Sequence, residues 1–296
     1  GAPWATREGV PTGWTHGFLA PSSLKQERAI VKNGRFAPEA GNYKAIIVDI
    51  DRFRGREATL DPDTAAKLVE YAKAGLPIVL HGDWSNPEST GLRDEETDAA
   101  VADLVQELKG FDNVKPALED DDIPVALANL GIQPAVSYPH SNLKHVRRIE
   151  GNEEFFYFVN VRHGEKDVLE LINDDVTITT LSDSSVPYEL NAWTGEVSPI
   201  ARFTRDGKNV RLRVRLNPAQ STIIVLAPRD WEGGQFPSTH VTATDADRVA
   251  FDDGKLYVEA FASGEVDATL ADGRVKTARI PSLPEAQELT SWKLSV

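Results

Sequence analysis

The sequence predicts an α/β layer followed by all-β structure: a parallel sheet of the flavodoxin/Rossmann type with helices on its faces, then an antiparallel β-sandwich and a small β-unit. Three observations carry this. Tyr43 to Trp84 reads as strand, helix and strand; the apolar period changes from helical to alternating around Leu143; and Asp-Gly pairs then recur between strand-like runs.

The first strand is the unbroken apolar run Ala45 to Ile50, of the kind buried on both faces, and Pro77 to Leu80 is its twin. Between them both ends of a helix are marked. Asp61 is placed to cap it, Pro62 suits the first helical position, Ala65, Leu68, Val69 and Ala72 share a face, and Gly75 stops it. Strand, helix and strand in that order force a right-handed crossover and a parallel pair. Ligands of such sheets sit beyond the carboxyl ends of the strands, here Asp49 to Arg54 and His81 to Trp84.

A second helix is expected after Asp94, with Val101, Leu104, Val105 and Leu108 on one face and Gly110 at its end. A third, shorter one follows Asp122, with Ile123, Ala126, Leu127 and Leu130 inward and Gly131 after it. The acidic run Glu119 to Asp122 lacks the spaced oxygens and glycine of a calcium loop, so it reads as a solvated loop leading into that helix.

Four segments result: residues 1–42, irregular and rich in Pro, Gly and Trp; 43–140, α/β; 141–230, β-sandwich; and 231–296, the small β-unit behind a linker at Pro228 to Pro237. In the β portion, Val146 to Glu150 and Phe155 to Val161 flank Gly151-Asn152 as a hairpin, with further strands at Val168 to Ile172 and Val176 to Thr180. Arg211, Arg213 and Arg215 alternate with Leu212, Val214 and Leu216; a wet sheet face explains the arginines better than an anion site. Asp206-Gly207, Asp253-Gly254 and Asp272-Gly273 stand where hairpin turns are needed. Trp193, just before the Thr194-Gly195 turn, is expected to be buried.

Among 296 residues, 41% are hydrophobic and the formal charge is −14, which supports globular folding and argues against nucleic acid as a partner, since phosphate binding needs a basic patch. No apolar run approaches the roughly 20 residues of a membrane helix. There is no Cys, hence no disulfide or thiolate metal site, and no cofactor motif such as G-x-G-x-x-G or a P-loop. Met is also absent and the chain opens Gly1-Ala2-Pro3-Trp4, which reads as part of something longer.

The candidate binding residues are Trp14, His16, His81, Asp83 and Trp84. Trp4 and Trp14 either pack on a neighbouring surface or stack on a sugar ring, and His16 stands beside them. His81, Asp83 and Trp84 follow the second strand at its carboxyl end, where an imidazole, a carboxylate and an indole suit a sugar; the alternative is that they brace the loop and pack. No metal site and no pair of catalytic carboxylates is identifiable.

The run from Val186 through Trp193, Thr194 and Gly195 to Val197, followed by Asn217 to Leu226, resembles the β-sandwich of large multidomain glycoside hydrolases. Gly13 to Leu19, Val31 to Gly34 and Tyr43 to Val48 resemble the segment that follows the catalytic barrel in the α-L-rhamnosidases of glycoside hydrolase family 106, and Leu289 to Leu294 is similar to the opening of the sugar-binding jelly roll that comes next in those proteins. The family's acidic phrase is replaced here by His16 to Ser22, so no catalytic carboxylate is carried over. The resemblance implies a secreted, extracellular carbohydrate-active enzyme, with this stretch structural or bordering the substrate, no cofactor, and as partners a carbohydrate and the remainder of the same enzyme. The alternatives are a non-enzymatic carbohydrate-binding or surface protein and, third, a nucleotide-binding module.

Overall fold

The computed structural model describes residues 12–50, 58–91, 94–139, 142–161, 168–233, 235–282, 284–285, 287–288 and 290–294. They form a mostly β structure with three α-helices and several antiparallel sheets, in two compact units, Gly1–Ala135 and Val136–Val296. No helix among these residues is long and apolar enough to cross a membrane.

In the first unit, Ile46–Asp49, Ile78–His81 and Val114–Ala117 pair in parallel, with Ile78–His81 in the middle. The crossovers are α1 (Pro62–Lys73) and α2 (Glu95–Lys109). Alternation along the central strand decides what each face packs against. Ile78 and Leu80 join the inward faces of α1 and α2, while Val79 joins Ile123, Ala126 and Leu127 of α3 (Asp122–Asn129) on the opposite face.

The helix ends follow the local chemistry. The Asp61 carboxylate accepts from Thr64 N at 3.0 Å and Asp94 from Thr97 N at 2.8 Å, each satisfying an amide that the first turn leaves unpaired. Gly75 closes α1 at φ +86, in the left-handed region. α3 differs from expectation: Asp121 is its N-cap and makes no side-chain cap bond, while Asp122 turns back to accept from Glu119 N at 3.0 Å.

Residues 12–42 are more ordered than their composition suggests. Pro21–Lys25 makes a 3₁₀ turn, and Val31–Lys32 pairs with Arg35–Phe36 across Asn33-Gly34, both at positive φ as a two-residue hairpin turn requires. The Tyr71 hydroxyl of α1 donates to Ala29 O at 2.6 Å and ties that segment to the helix.

The second unit holds a five-stranded and a four-stranded antiparallel sheet, a three-stranded one near the end, and the two-stranded pair Arg248–Asp252 with Lys255–Glu259. In the five-stranded sheet the order is Val197–Pro199, Val186–Leu190, Ser221–Ala227, Glu153–Asn160, Leu143–Glu150. Glu150 opposes Glu153 and Asp252 opposes Lys255, leaving Gly151-Asn152 and Asp253-Gly254 as two-residue turns. At Asp206-Gly207, Asp206 opposes Asn209, so the loop is Gly207-Lys208, one residue further on, and at Asp272-Gly273 the last paired residues are Thr269 and Val275, so that loop is longer than two residues. Val210, Leu212, Val214 and Leu216 are buried, while Arg211 and Arg213 lie outward and share Asp175, at 2.7 and 3.3 Å. The arginine row therefore belongs to a wet, ion-paired sheet face.

Two expectations in this unit are corrected. Val168 is 72% exposed and lies outside any strand; pairing begins only at Ile172. Trp193, expected to be buried, is 97% exposed. The last paired residues are Leu190 and Val197, and the exposed turn between them is braced by Asn191, whose Oδ1 accepts from Trp193 N at 3.0 Å and Thr194 N at 3.3 Å. Residues 191–196 are exposed throughout, so this turn offers the indole no core to enter.

Candidate functional site at the carboxyl ends of the parallel strands

Parallel pairing brings the last residues of neighbouring strands to one edge, and here Asp49 opposes His81 while His81 opposes Ala117. The loop after Ala117 returns Asp120 to the same edge. His81 Nδ1 lies 2.8 Å from Asp49 Oδ1 and Nε2 lies 3.1 Å from Asp120 Oδ1. The imidazole is 4% exposed, so it is held between the carboxylates largely out of water. A neutral imidazole carries one N–H, so the ring donates to both carboxylates only when both nitrogens are protonated. The carboxylates meet the two different ring nitrogens, which is the arrangement of a hydrogen-bonded clasp rather than of metal ligands.

The chain then turns at Gly82, whose φ is +91; a Cβ there would come 2.5 Å from Ile50 Cδ1, so both backbone conformation and space demand glycine. Trp84 folds back inward. It is 3% exposed, packs with the residues of α1 and α2, and donates Nε1–H to His81 O at 2.9 Å. The Lys109 ammonium, at the end of α2, donates to Trp84 O at 2.5 Å. Asp83, between them, is exposed; its Oδ1 accepts from Ser85 N at 2.9 Å. Hydrogen bonds from the side chain and backbone of Ser85, with a smaller contribution from Lys109, hold its carboxyl below the usual range, so it stays ionised.

The residues singled out in the sequence thus take different places. His81, Asp83 and Trp84 share one turn, in which Asp83 is the group presented to solvent and Trp84 is part of the core. Trp14 lies half-buried on the α3 face of the sheet against the cluster of Val79, Ala117 and Ile123. His16 is exposed, edge-on to Phe18 with ring centroids 5.9 Å apart. Trp4 and the loop of residues 51–57 after the first strand lie outside the described residues. Asp49 and Asp120 are the partners that sequence reading missed. Asp49 was visible as the one charge in an apolar run, but Asp120 was hidden in an acidic stretch read as solvated, a reading that fits the exposed Glu119 and Asp122.

No protein-family model matches the chain, and no curated protein matches it. Among solved structures, the chain is similar to a rhamnosidase from Novosphingobium sp. PP1Y, with a TM-score of 0.55 and 15% identity, over 87% of this chain and 26% of that one. It spans about a quarter of that protein's length, and at this identity the likeness is one of fold. Weaker matches are an exo-carrageenase, GH42, from Bacteroides ovatus, with a TM-score of 0.37 and 10% identity over 73% of this chain and 25% of that one, and a GH30 endoxylanase from Clostridium papyrosolvens C71, with a TM-score of 0.21 and 11% identity over 66% and 51%. These neighbours are glycoside hydrolases.

Proposed function

We propose that the chain is a structural and substrate-bordering part of a secreted glycoside hydrolase of α-L-rhamnosidase type, with the reacting carboxylates supplied by other parts of the enzyme. At the level of fold, the corresponding reading is a flavodoxin-like α/β layer followed by a β-sandwich and a small β-unit. The observation that carries it is the likeness to a rhamnosidase over 87% of this chain, alongside the sequence motifs that resemble family 106 in the same order. The site chemistry is compatible. His81 is locked by two carboxylates and Trp84 is sealed in the core, so neither is free to act on a substrate, whereas Asp83 presents an ionised carboxylate on a braced turn. In this role Asp83 accepts hydrogen bonds from sugar hydroxyls and orients them.

The test is hydrolysis of an aryl α-L-rhamnoside and of rhamnose-containing polysaccharide by the source protein, with and without Asp83→Ala. Release of rhamnose, with turnover lowered in Asp83→Ala at an unchanged melting temperature, is the expected result. Equal turnover in the variant reduces the turn to scaffolding, and absence of any sugar release overturns the reading. A second reading, a non-enzymatic carbohydrate-binding protein, is favoured by the full exposure of Trp193. Glycan-array binding without sugar release distinguishes it.

A further inference from the structure

The five-stranded sheet of the second unit leaves an open apolar row on one face. Tyr157 opposes Val146 on one side and Ile223 on the other, and Ile223 opposes Leu190, so the four side chains stand side by side across four strands. In the next row, Phe155, Val225 and Tyr188, Trp231 packs against both ends, with ring centroids 6.1 Å from Phe155 and 5.4 Å from Tyr188, and the half-buried Phe155 still lines the groove. Val146 and Tyr157 remain 40% and 41% exposed. The open row floors a groove of about 460 Å³, and Arg148 and Glu150 stand at its border.

Three features select an occupant. The volume falls in the range of small-ligand sites, roughly 300–1,000 Å³, and the lining of eight residues is far short of the 20–30 per side of a standard protein interface. The border carries one cation and one anion, which complements a neutral molecule with hydroxyl groups rather than a polyanion. The apolar lining is two aromatic rings, Tyr157 and Phe155, among aliphatic side chains, which suits a pyranose that also carries a methyl group. A fourth feature is independent of the groove: Trp193, 97% exposed on a turn pinned by Asn191, lies three residues beyond Leu190 and so within about 11 Å of it along the chain. A solvated indole adds nothing to the fold, whereas its face stacks on a sugar ring.

We propose that this groove, together with Trp193, is a secondary binding face for a 6-deoxy sugar unit, remote in sequence from the His81 turn. The choice of a deoxy sugar rests on the functional reading above. Tyr157 and Arg148 would hold hydroxyl groups, and Val146, Leu190 and Ile223 would receive the methyl group.

The probe is L-rhamnose titrated into the chain and followed by NMR, with L-mannose, in which a hydroxymethyl group replaces the methyl, as the control. Millimolar binding of rhamnose is expected, with L-mannose about five- to tenfold weaker, since an aliphatic pocket rejects an added hydroxyl only modestly. Tyr157→Ala should abolish it, and Trp193→Ala, at a position outside the core, should weaken binding of a rhamnose oligosaccharide without changing the melting temperature. Absence of binding, equal affinity for both sugars, or full binding by folded Tyr157→Ala overturns the proposal, as does concentration-dependent self-association abolished by Val146→Lys, which would assign the face to a second copy. If rhamnoside hydrolysis is seen without groove binding, only this proposal falls; if groove binding is seen without hydrolysis, the enzymatic reading falls and the groove stands.

Discussion

His81 Nε2 and Asp120 Oδ1 lie 3.1 Å apart, joining the end of the central parallel strand to the loop that follows its neighbour. The imidazole is buried and the carboxylate is 26% exposed, against 40% for Asp49 on the other side of the ring. Removing one partner takes away the carboxylate that a buried ring nitrogen faces, at about 1–3 kcal/mol. Asp120→Ala is therefore expected to lower stability in urea unfolding by that amount, and Asp49→Ala by less, because water reaches Asp49 more readily. An unchanged midpoint for Asp120→Ala would remove the clasp from the account of stability.

The turn beside that clasp depends on Gly82 for two separable reasons, a left-handed φ and the closeness of Ile50. Gly82→Ala should cost more than about 1 kcal/mol. In an Ile50→Ala background the steric part disappears and the conformational part stays, so the two changes should couple rather than add. Strict additivity in a double-mutant cycle would contradict the observed contact.

What the sequence made legible was local. The caps at Asp61 and Asp94, the stop at Gly75 and the turn at Asp253-Gly254 each depend on residues within one turn of one another, so their chemistry could be read without a fold. The Asp49–His81–Asp120 clasp could not be read, because it depends on the sheet order that puts Ile78–His81 between two strands, and parallel order is fixed by packing far along the chain. Trp193 misled for the opposite reason. A large aromatic before a Thr-Gly turn looks like core, but residues 191–196 are exposed throughout and the turn faces no core.

The two tryptophans make opposite predictions for one substitution. Trp84→Ala removes an indole packed among α1 and α2 side chains, and should cost about 3–5 kcal/mol. Trp193→Ala removes a solvated one and should leave the thermal midpoint within the small range of ordinary surface changes. Comparable midpoint shifts in the two variants would mean that Trp193 packs after all.

The pH dependence of stability should be carried first by His145. It is 6% exposed, its ring lies among Tyr138, Phe156 and Phe158, and burial, with a smaller contribution from Arg147, pushes its pKa down from 6.5 to about 4. His240, stacked on Phe203 at 3.8 Å, is shifted to about 4 for the same leading reason, but it is only half-buried and counts for less. The sign follows from proton binding. Between pH 6.5 and 4 the unfolded chain takes up a proton on His145 that the folded chain refuses, so stability falls as pH falls through that window. Taken in full, the shift at His145 corresponds to about 3 kcal/mol, lost progressively down to the folded pKa. The lowered carboxyls of Asp83, Asp94 and Asp272 act in the same direction but lower, as pH falls below 3.8. Denaturant unfolding at pH 7, 6 and 5 isolates the histidine window from theirs. A decline in stability across that range that is flattened by His145→Phe is the expected outcome, and an unchanged slope in the variant would assign the decline to other groups.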